Sequence, residues 1–528
     1  MSNRNSLPGR HDSLWTDTTP RTDYPALDGD LRVDTAIIGG GIVGVTAGVH
    51  CAEAGREVAL LESDRVVEGV TGKTTAKVTA QHGLVYDSLL DAHGREAARK
   101  YAEANAAAVQ AVAARVDERD IDCDFQRLPA YTYAADEDQR ENVEREAEVA
   151  DSLGLPASFV ENPPFPAEAP GAVRFAEQAQ FHPRKYLLDL VEAIPAEGSH
   201  VFERTKATGI EDASEGSRRW DGEGAAAGAG VGDETLCRVE TERGTVTAEN
   251  VLVATHFPIE DPALYFARQF PKRSYVLAVR LAEEPPEGMF YRDAEPYFSV
   301  RPHPTDDGTL TLIGGQNHKT GQGGSTAARY RRLIEQAREH FDVESVEYRW
   351  STQDFVSADE IPFVGELGPT TEGVYAATGF GGWGMTNGTA AGMMLADFAQ
   401  GKTPRWADAF DPARFDPGAG TKELVTENVD VGKEFTVDWA KALLGGEDPT
   451  VAPGEGEVVK RDGKPLAVAR DDNGDLHVTS AVCTHLGCIV HWNDGEQSWD
   501  CPCHGSRFSM DGDVLDGPAV DGLPKRGE

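Results

Sequence analysis

Two short motifs near the C-terminus contain the residue types of a metal centre. Cys483 and His485 form a Cys-x-His pair, and Cys501 and His504 form a Cys-x-x-His pair after residues 486–500. Two thiolates and two imidazoles can hold a zinc ion. They can also hold a [2Fe–2S] cluster, with the thiolates on one iron and the imidazoles on the other. We favour the cluster because the sequence pattern extends over both motifs and is longer and more specific than a zinc site requires.

The sequences around these ligands, CTHLGC and CPCHGS, resemble the Rieske domains of the cytochrome bc-type class. The resemblance implies a disulfide between Cys488 and Cys503 and a hydrogen bond from Ser506 to a bridging sulfide. A tyrosine that bonds a ligand sulfur in that class is Phe508 here, and DGPAV at 516–520 resembles the proline loop that covers the cluster. Fewer hydrogen bonds to sulfur lower the potential, so we expect a value below that of respiratory Rieske proteins.

A second group of residues, near the N-terminus, has the pattern of a dinucleotide site. Gly39, Gly41 and Gly44 satisfy G-x-G-x-x-G between an apolar strand and a small-residue helix, and Glu62 ends the next strand. The first glycine permits a tight turn, the second lets the backbone approach a pyrophosphate, and the third lets helix and strand pack closely. Glu62 can bind ribose hydroxyls. The alternative, a glycine-rich turn without a ligand, is disfavoured by the strand–helix–strand context.

This local motif fits FAD and NAD equally, and the rest of the chain favours FAD. The segment TGKTTA, after the second strand, supplies backbone donors and hydroxyls. The late strand GVYAATG leads into a glycine-rich turn and a helix, whose N-terminus could stabilise negative charge on a reduced flavin. The cofactor-binding residues predicted in these two segments are Thr71, Gly72, Thr74, Thr75, Gly379, Gly382, Gly384, Met385 and Thr386.

Residues 32–402 resemble the FAD-dependent D-amino-acid oxidase and glycine oxidase superfamily. With its C-terminal segment, the whole chain resembles FAD-dependent oxidoreductases that carry a C-terminal Rieske domain. The resemblance implies a substrate with a C–H beside nitrogen or oxygen, such as an amine or amino acid. No cysteine lies in the late glycine turn, so we expect non-covalent FAD. No second G-x-G-x-x-G follows a strand, which argues against a reductase with its own NADH domain.

Four residues are candidates for catalysis on the layout of that family. Lys77 and His82 would lie near the flavin ring, and His82 could act at the reacting carbon or serve as a structural histidine. Arg273 and Tyr275 begin a strand of the expected substrate-domain sheet. An arginine on that sheet often clamps a carboxylate bidentately, and an ordinary surface arginine is the alternative.

The hydrophobic patterns of the chain predict an α/β (α+β) fold. It comprises a Rossmann-like FAD-binding domain with an antiparallel-sheet substrate domain, followed by a small all-β Rieske domain. A Gly/Ala-rich stretch at 221–233 is predicted as a surface insertion. The predicted divisions are an N-terminal extension (1–30), the oxidoreductase (31–403), a connector (404–453) with one helix near 437–444, and the Rieske domain (454–528). Within the oxidoreductase, the FAD-binding segments cover about 31–125, 180–260 and 355–403, and the substrate-domain segments about 126–179 and 261–354.

Composition restricts the partners and the location. The chain has 89 acidic and 50 basic residues, a net charge of -39, so nucleic acid would be repelled. The acidic residues are spread along the chain. The lysine-poor, acid-rich balance resembles that of proteins from salt-accumulating halophiles: near molar salt the screening length falls to about 3 Å, so self-repulsion largely disappears. An acidic protein from a mesophile is the alternative. No stretch resembles a membrane span and no N-terminal apolar core marks export, so we expect a cytoplasmic protein.

These motifs together predict an enzyme. A small-molecule substrate gives a hydride to FAD, reduced flavin passes electrons singly to the cluster, and an external acceptor takes them. Electrons could also flow in the opposite direction, from the cluster to the flavin. The alternative is an electron-transfer or redox-sensing protein without a dedicated small substrate, which would dock to its partner through a mobile connector.

Overall fold

The computed structural model describes residues 7–165, 169–195, 198–212, 236–292, 294–414, 420–444 and 451–526. The predicted insertion at 221–233 lies outside these residues. Two large sheets contain the strands before residue 380. In chain order these strands are β1 (Arg10–His11), β2 (Leu31–Ile38), β3 (Val58–Leu61), β4 (Lys77–Val78), β5 (Gln126–Tyr133), β6 (Ala157–Val160), β7 (Ala172–Gln180), β8 (His200–Phe202), β9 (Ala207–Asp212), β10 (Cys237–Thr241), β11 (Gly244–Val253), β12 (Gln269–Leu281), β13 (Met289–Arg292), β14 (Phe298–Thr305), β15 (Gly308–Lys319), β16 (Val343–Ser357), β17 (Phe363–Glu366) and β18 (Val374–Thr378).

Helices cover these sheets and connect them. They are α1 (Leu14–Asp17), α2 (Ile42–Glu53), α3 (Val85–Arg119), α4 (Arg140–Ser152), α5 (Pro183–Glu192), α6 (Tyr265–Arg268), α7 (Thr326–His340), α8 (Gly384–Ala399), α9 (Ala407–Phe410) and α10 (Thr421–Leu444). Short 3-10 turns lie at Val70–Lys73 and Glu137–Gln139. No helix in the described part of the chain is long and apolar enough to cross a membrane.

The first sheet has the parallel core of a nucleotide-binding fold. Its order is β17-β18-β11-β2-β3-β8, with β9 and β10 continuing from β11. Strands β3 and β11 run parallel to β2 on either side, and the residues from Ala36 to Ile38 are almost fully buried. Apolar residues on both faces of a strand are expected where helices cover a parallel sheet. Here α2 packs against α8, which is possible because Gly388 and Gly392 lie against α2.

The second sheet is mainly antiparallel, in the order β1-β16-β12-β15-β14-β13-β5-β7-β4, with β6 on β7. Its longest strands, β12 and β16, pair from Gln269 opposite Ser357 to Leu281 opposite Val343, with register shifts after Ala278 and after Arg280. Alternate residues of such strands face opposite sides of the sheet, so one sheet can form walls of two different sites. The predicted α/β (α+β) class is therefore confirmed.

The C-terminal part is a small β domain. A three-stranded sheet contains β19 (Gly456–Arg461), β20 (Lys464–Arg470) and β21 (Leu476–Ser480). A four-stranded sheet contains β22 (His491–Asn493), β23 (Ser498–Asp500), β24 (Arg507–Phe508) and β25 (Val514–Asp516). Trp499 and Phe508 are fully buried opposite each other on β23 and β24. The two ligand motifs lie in the loops before β22 and after β23.

Helix α10 joins this domain to the oxidoreductase and is longer than the helix predicted near 437–444. Val431, Trp439 and Ala442 pack into the core of the C-terminal domain, whereas Asn428 donates to the carbonyl of Ala267 at 2.9 Å. The sequence understates this helix because four of its apolar side chains are exposed, so its apolar positions do not follow one buried stripe: Val425, Val429, Phe435 and Val437.

The C-terminal domain is docked on the antiparallel sheet and on α7. Asp494 caps the N-terminus of α7 by accepting from the backbone amides of Thr326 and Ala327, at 2.8 and 3.0 Å. Glu496 accepts from the hydroxyl of Tyr330 at 2.7 Å and lies 3.5 Å from the guanidinium of Arg273. These contacts join the C-terminal domain to the oxidoreductase.

Candidate flavin and iron–sulfur sites

The four predicted cluster ligands come together in the C-terminal domain. Cys483, Cys501 and His504 are buried and His485 is half-buried. The two imidazole rings are 5.0 Å apart and perpendicular, at 89°. Burial lowers the pKa of His485 to about 4 and that of His504 to about 3. Both rings are therefore neutral near pH 7, as metal ligands must be.

The two ligand loops have the same hydrogen-bonded shape. In the first, the amide of Gly487 donates to the carbonyl of Cys483 at 3.0 Å; in the second, that of Gly505 donates to Cys501 at 3.1 Å. Both glycines have positive φ, a backbone region that favours glycine. Nδ1 of His504 is buried without a hydrogen-bond partner among the described residues. A metal at this position would satisfy that nitrogen, so the donor set fits an iron–sulfur cluster.

The residues around the ligands agree with the resemblance to Rieske domains. Cys488 and Cys503 form a disulfide with an S–S distance of 2.08 Å, which confirms the predicted pair. Ser506 is fully buried, and its Oγ accepts from the amide of Ala519 at 3.0 Å. A hydrogen bond with Cys501, and smaller ones from the backbone of His485 and from Ser506, outweigh the effect of burial and lower the pKa of Cys483 to about 7. Ser506 is therefore within reach of the cluster's sulfur ligands.

A cavity of about 930 Å³ is lined by residues of both large sheets. This volume is at the upper end of the range for ligand pockets, as a dinucleotide requires. Ten of the predicted FAD-binding residues line it, and as FAD contacts they stay predictions: Gly39, Gly41, Glu62, Thr71, Thr74, Thr75, Gly379, Gly382, Gly384 and Met385.

Three predicted FAD-binding residues, Gly44, Gly72 and Thr386, do not line the cavity and lie behind the residues that do. A Cβ on Gly44 would lie 1.9 Å from the carbonyl oxygen of Gly39, and one on Gly72 would lie 2.6 Å from that of Val67. The hydroxyl of Thr386 donates to the carbonyl of Thr79 at 2.8 Å. The two glycines allow backbone segments to approach closely, and Thr386 joins α8 to the segment at Thr79, so none of the three lines the cavity.

The electrostatics of the cavity favour an anionic ligand at two places. Helix α2 is capped by Gly41 and α8 begins at Gly384, so both helix N-termini border the cavity. The positive end of a helix dipole stabilises phosphate or a reduced, anionic ring. Glu62 accepts from the amide of Gly40 at 2.8 Å and fixes the glycine turn, while burial raises the pKa of its carboxyl. The residues present therefore fit FAD.

Lys77 lines this cavity with few polar partners. Its Nζ donates to the hydroxyl of Ser299 at 3.1 Å and lies 4.7 Å from the centre of the Tyr291 ring. Burial, with a smaller effect from the nearby guanidinium of Arg301, holds the pKa of Lys77 well below its usual range. Burial therefore favours the neutral amine more than it is favoured in an exposed lysine.

His82 also lines the cavity, but its ring nitrogens are engaged by protein groups. Nδ1 lies 2.6 Å from the hydroxyl of Tyr101, and Nε2 lies 2.9 Å from the carbonyl of Thr79. The ring stacks on Trp383 at 4.9 Å, and burial lowers its pKa to about 3. These contacts favour the structural interpretation of His82 over a role at the reacting carbon.

Arg273 and Tyr275 face the docked domain. Arg273 is 1% exposed, does not line the cavity, and lies beside Glu496. Its position therefore gives no support to the expected carboxylate clamp. Tyr275 borders the cavity, but its hydroxyl lies 3.0 Å from Nε2 of His318.

Several cavity residues were missed by sequence reasoning because their side chains become neighbours only through strand pairing. Tyr291 and Ser299, on β13 and β14, line the cavity beside Lys77. Asp354, on β16, accepts from the amide of Gly382 at 2.6 Å and thereby holds the late glycine turn. The alternation of apolar and polar residues along β14 and β16 is the only sequence pattern that could have indicated these residues. It does not show which face of the sheet points to a ligand. Residues 513–520 and Gly522 of the C-terminal domain also line the cavity.

Comparison with known proteins agrees with this geometry. The family model "FAD dependent oxidoreductase" matches residues 34–398, and the model "Rieske [2Fe-2S] domain" matches residues 444–526. The chain belongs to the FAD dependent oxidoreductase family, and within it carries a C-terminal Rieske domain. It is an FAD-dependent oxidoreductase with FAD and a [2Fe–2S] cluster as cofactors. The finer domain limits stay predictions.

One relative has both parts. The chain is 36% identical, over 99% of both sequences, to a putative Rieske 2Fe-2S iron-sulfur protein YhfW of Bacillus subtilis. Gamma-glutamylputrescine oxidoreductase of Escherichia coli is 23% identical, covering 76% of this chain and 91% of its own. The crystal structure of glycine oxidase from Geobacillus kaustophilus has a TM-score of 0.56 at 20% identity, covering 74% of this chain and 99% of its own. The last likeness shows the fold alone.

Proposed function

We propose that this protein oxidises a small amine or amino acid, with electrons passing from FAD to the [2Fe–2S] cluster and on to an external acceptor. The substrate class is supported by the likeness to gamma-glutamylputrescine oxidoreductase and by the fold shared with glycine oxidase. When bound, FAD supplies hydride acceptance and release of single electrons, and the cluster carries one electron at a time.

One observation supports transfer between the two cofactors more than any other: consecutive residues of β16 contact the two sites. Asp354 lines the cavity and binds the amide of Gly382. Gln353 donates to the carbonyl of Gly505 at 2.8 Å, one residue after the ligand His504. A wall one strand thick therefore separates the cavity from a ligand loop. Such proximity favours intramolecular transfer because it replaces a bimolecular encounter.

The residues around Lys77 suit an amine substrate. An amine must lose its ammonium proton before a hydride can leave the adjacent carbon, and the buried Lys77 amine can accept that proton. Tyr291, Tyr297 and Trp383 add aromatic surface to the same cavity, and Lys272 adds a cation that could bind a carboxylate. The role assigned to Arg273 by the family layout would then fall to its neighbour Lys272.

Anaerobic stopped-flow spectroscopy with a panel of amines and amino acids tests this proposal, with NADH as an additional compound. The expected result is bleaching of the flavin band by one compound, followed by growth of the reduced-cluster EPR signal. If no compound bleaches the flavin while dithionite reduces both centres, the electron-transfer or sensing alternative replaces the enzyme. Bleaching by NADH alone would refute the substrate class and leave intramolecular transfer standing.

A further inference from the structure

A segment of the C-terminal domain forms part of the FAD cavity. We call residues 513–522 the bridging segment; all of them except Asp521 line the cavity. On the oxidoreductase side, Nζ of Lys206 donates to the carbonyl of Val520. Lys206 follows Thr205, whose amide donates to the carbonyl of Glu62 at 2.9 Å. The bridging segment therefore lies at the end of the cavity that contains Glu62, the predicted ribose-binding residue.

The same segment is held by both ligand loops of the cluster. Thr484 lies between the ligands Cys483 and His485, and its hydroxyl donates to the carbonyl of Asp521 at 2.5 Å. In the second loop, Oγ of Ser506 accepts from the amide of Ala519 at 3.0 Å. The bridging segment therefore contacts the cluster loops on one side and the FAD cavity on the other.

Arg507 adds a charged contact to the same face. It follows Ser506 and binds Asp516 of the bridging segment at 2.8 Å and Asp500 at 3.0 Å. All three side chains are at most 20% exposed, so this network is shielded from solvent. Two contacts from the ligand loops and one from Arg507 on β24 thus hold a segment only ten residues long.

We propose that the bridging segment links the two cofactor sites, so that FAD is bound more tightly when the cluster loops are formed. The cluster orders the loops that carry Thr484 and Ser506, these loops hold the bridging segment, and the segment closes the end of the cavity that contains Glu62. Linkage is reciprocal, so bound FAD must stabilise the loaded cluster by the same factor. This inference concerns cofactor retention and does not depend on the proposed substrate.

The rate of FAD release tests the linkage in the intact protein, without substrate. FAD fluorescence is followed after dilution of wild type, Lys206→Met and Thr484→Val. Lys206→Met removes the contact on the cavity side and Thr484→Val the contact on the cluster side. We expect each variant to release FAD about tenfold faster, the factor for one hydrogen bond of this kind. Lys464→Met, an exposed lysine at the start of β20, is the control and should release FAD at the wild-type rate.

Wild-type release in both variants would overturn the proposal. Faster release in Lys206→Met alone would refute the link to the cluster, because Lys206 itself lines the cavity and its loss can act on FAD directly. Because a variant could fail to fold, hydrogen exchange of residues 513–522 is also measured in wild-type protein with and without FAD. Slower exchange with FAD is expected, together with a changed EPR spectrum of the cluster. Unchanged exchange and an unchanged spectrum would refute the linkage regardless of any variant.

Discussion

Replacing Glu496 with glutamine should weaken the docking of the Rieske domain. Glu496 is 13% exposed and lies 3.5 Å from Arg273, which is itself 1% exposed and has two guanidinium nitrogens without partners among the described residues. The glutamine keeps the size of the side chain and can still accept from Tyr330. It removes the charge opposite a buried cation, which costs about 3–5 kcal/mol for a fully buried pair. Because this pair is not fully enclosed, we expect about 3 kcal/mol.

The assay is denaturant unfolding of wild type and Glu496→Gln, followed by FAD fluorescence and by the visible circular dichroism of the cluster. Glu457→Gln, on the exposed part of β19, is the control for the loss of one negative charge. The pKa of Glu496 lies well below its usual range: burial raises it, but the hydrogen bond to His11 and the charge of Arg273 outweigh that effect.

The pH dependence of this stability difference has a definite sign. A carboxyl with a lowered folded pKa contributes stability that is present above its unfolded value, about 4.3, and is lost as the pH falls toward the folded value. The difference between wild type and Glu496→Gln should therefore be full near pH 7 and should shrink below about pH 4. Equal unfolding at pH 7, or a difference that does not shrink in acid, would refute this account.

The remaining predictions concern the two cofactor sites. Lys77→Met should slow substrate-dependent flavin bleaching by about 10²-fold. In the wild type this rate should fall as the pH drops below the lowered pKa of Lys77, and the variant should lose that fall; stopped-flow pH profiles check both effects. Phe508→Tyr should raise the cluster's potential by about 30–60 mV, the equivalent of about 0.7–1.4 kcal/mol, in an EPR-monitored redox titration. Gly44→Ala should yield protein without FAD, measured by absorbance, because its Cβ would lie 1.9 Å from the Gly39 oxygen.

The sequence predicts best those features whose residues lie close together along the chain. The cluster ligands lie within two short loops, and the disulfide joins the same loops, so the motif alone fixes their neighbourhood. The glycine turn at Gly39 needs only the strand and helix on either side of it. The cytoplasmic location and the halophilic origin have no structural counterpart and stay predictions.

The sequence does not predict features that depend on pairing between distant segments, such as the direction in which a strand's side chains point. Arg273 sits on the predicted sheet, but a strand has two faces, and only the docked domain shows that its side chain faces Glu496. Lys272, one residue earlier, lines the cavity instead. The sequence understates helix α10 because several of its apolar side chains, such as Val425 and Val429, are exposed and do not extend the buried stripe. The bridging segment is predicted only as a cover for the cluster, because nothing in its composition indicates a second contact.

The interface between the two parts of the chain also explains how an acidic protein can dock one part on another. In three polar contacts the acid comes from α10 or the Rieske domain, and the positive group from the oxidoreductase. Asp494 caps helix α7, Glu496 faces Arg273, and Asp430 binds Lys319 at 2.9 Å. Salt screens exposed charges most, with a length of about 3 Å near 1 M, but a helix cap and a mostly buried pair lie at contact distance. We therefore expect these contacts to persist in high salt, where the rest of the acidic surface is screened, and to keep the spacing between the cavity and the cluster loops constant.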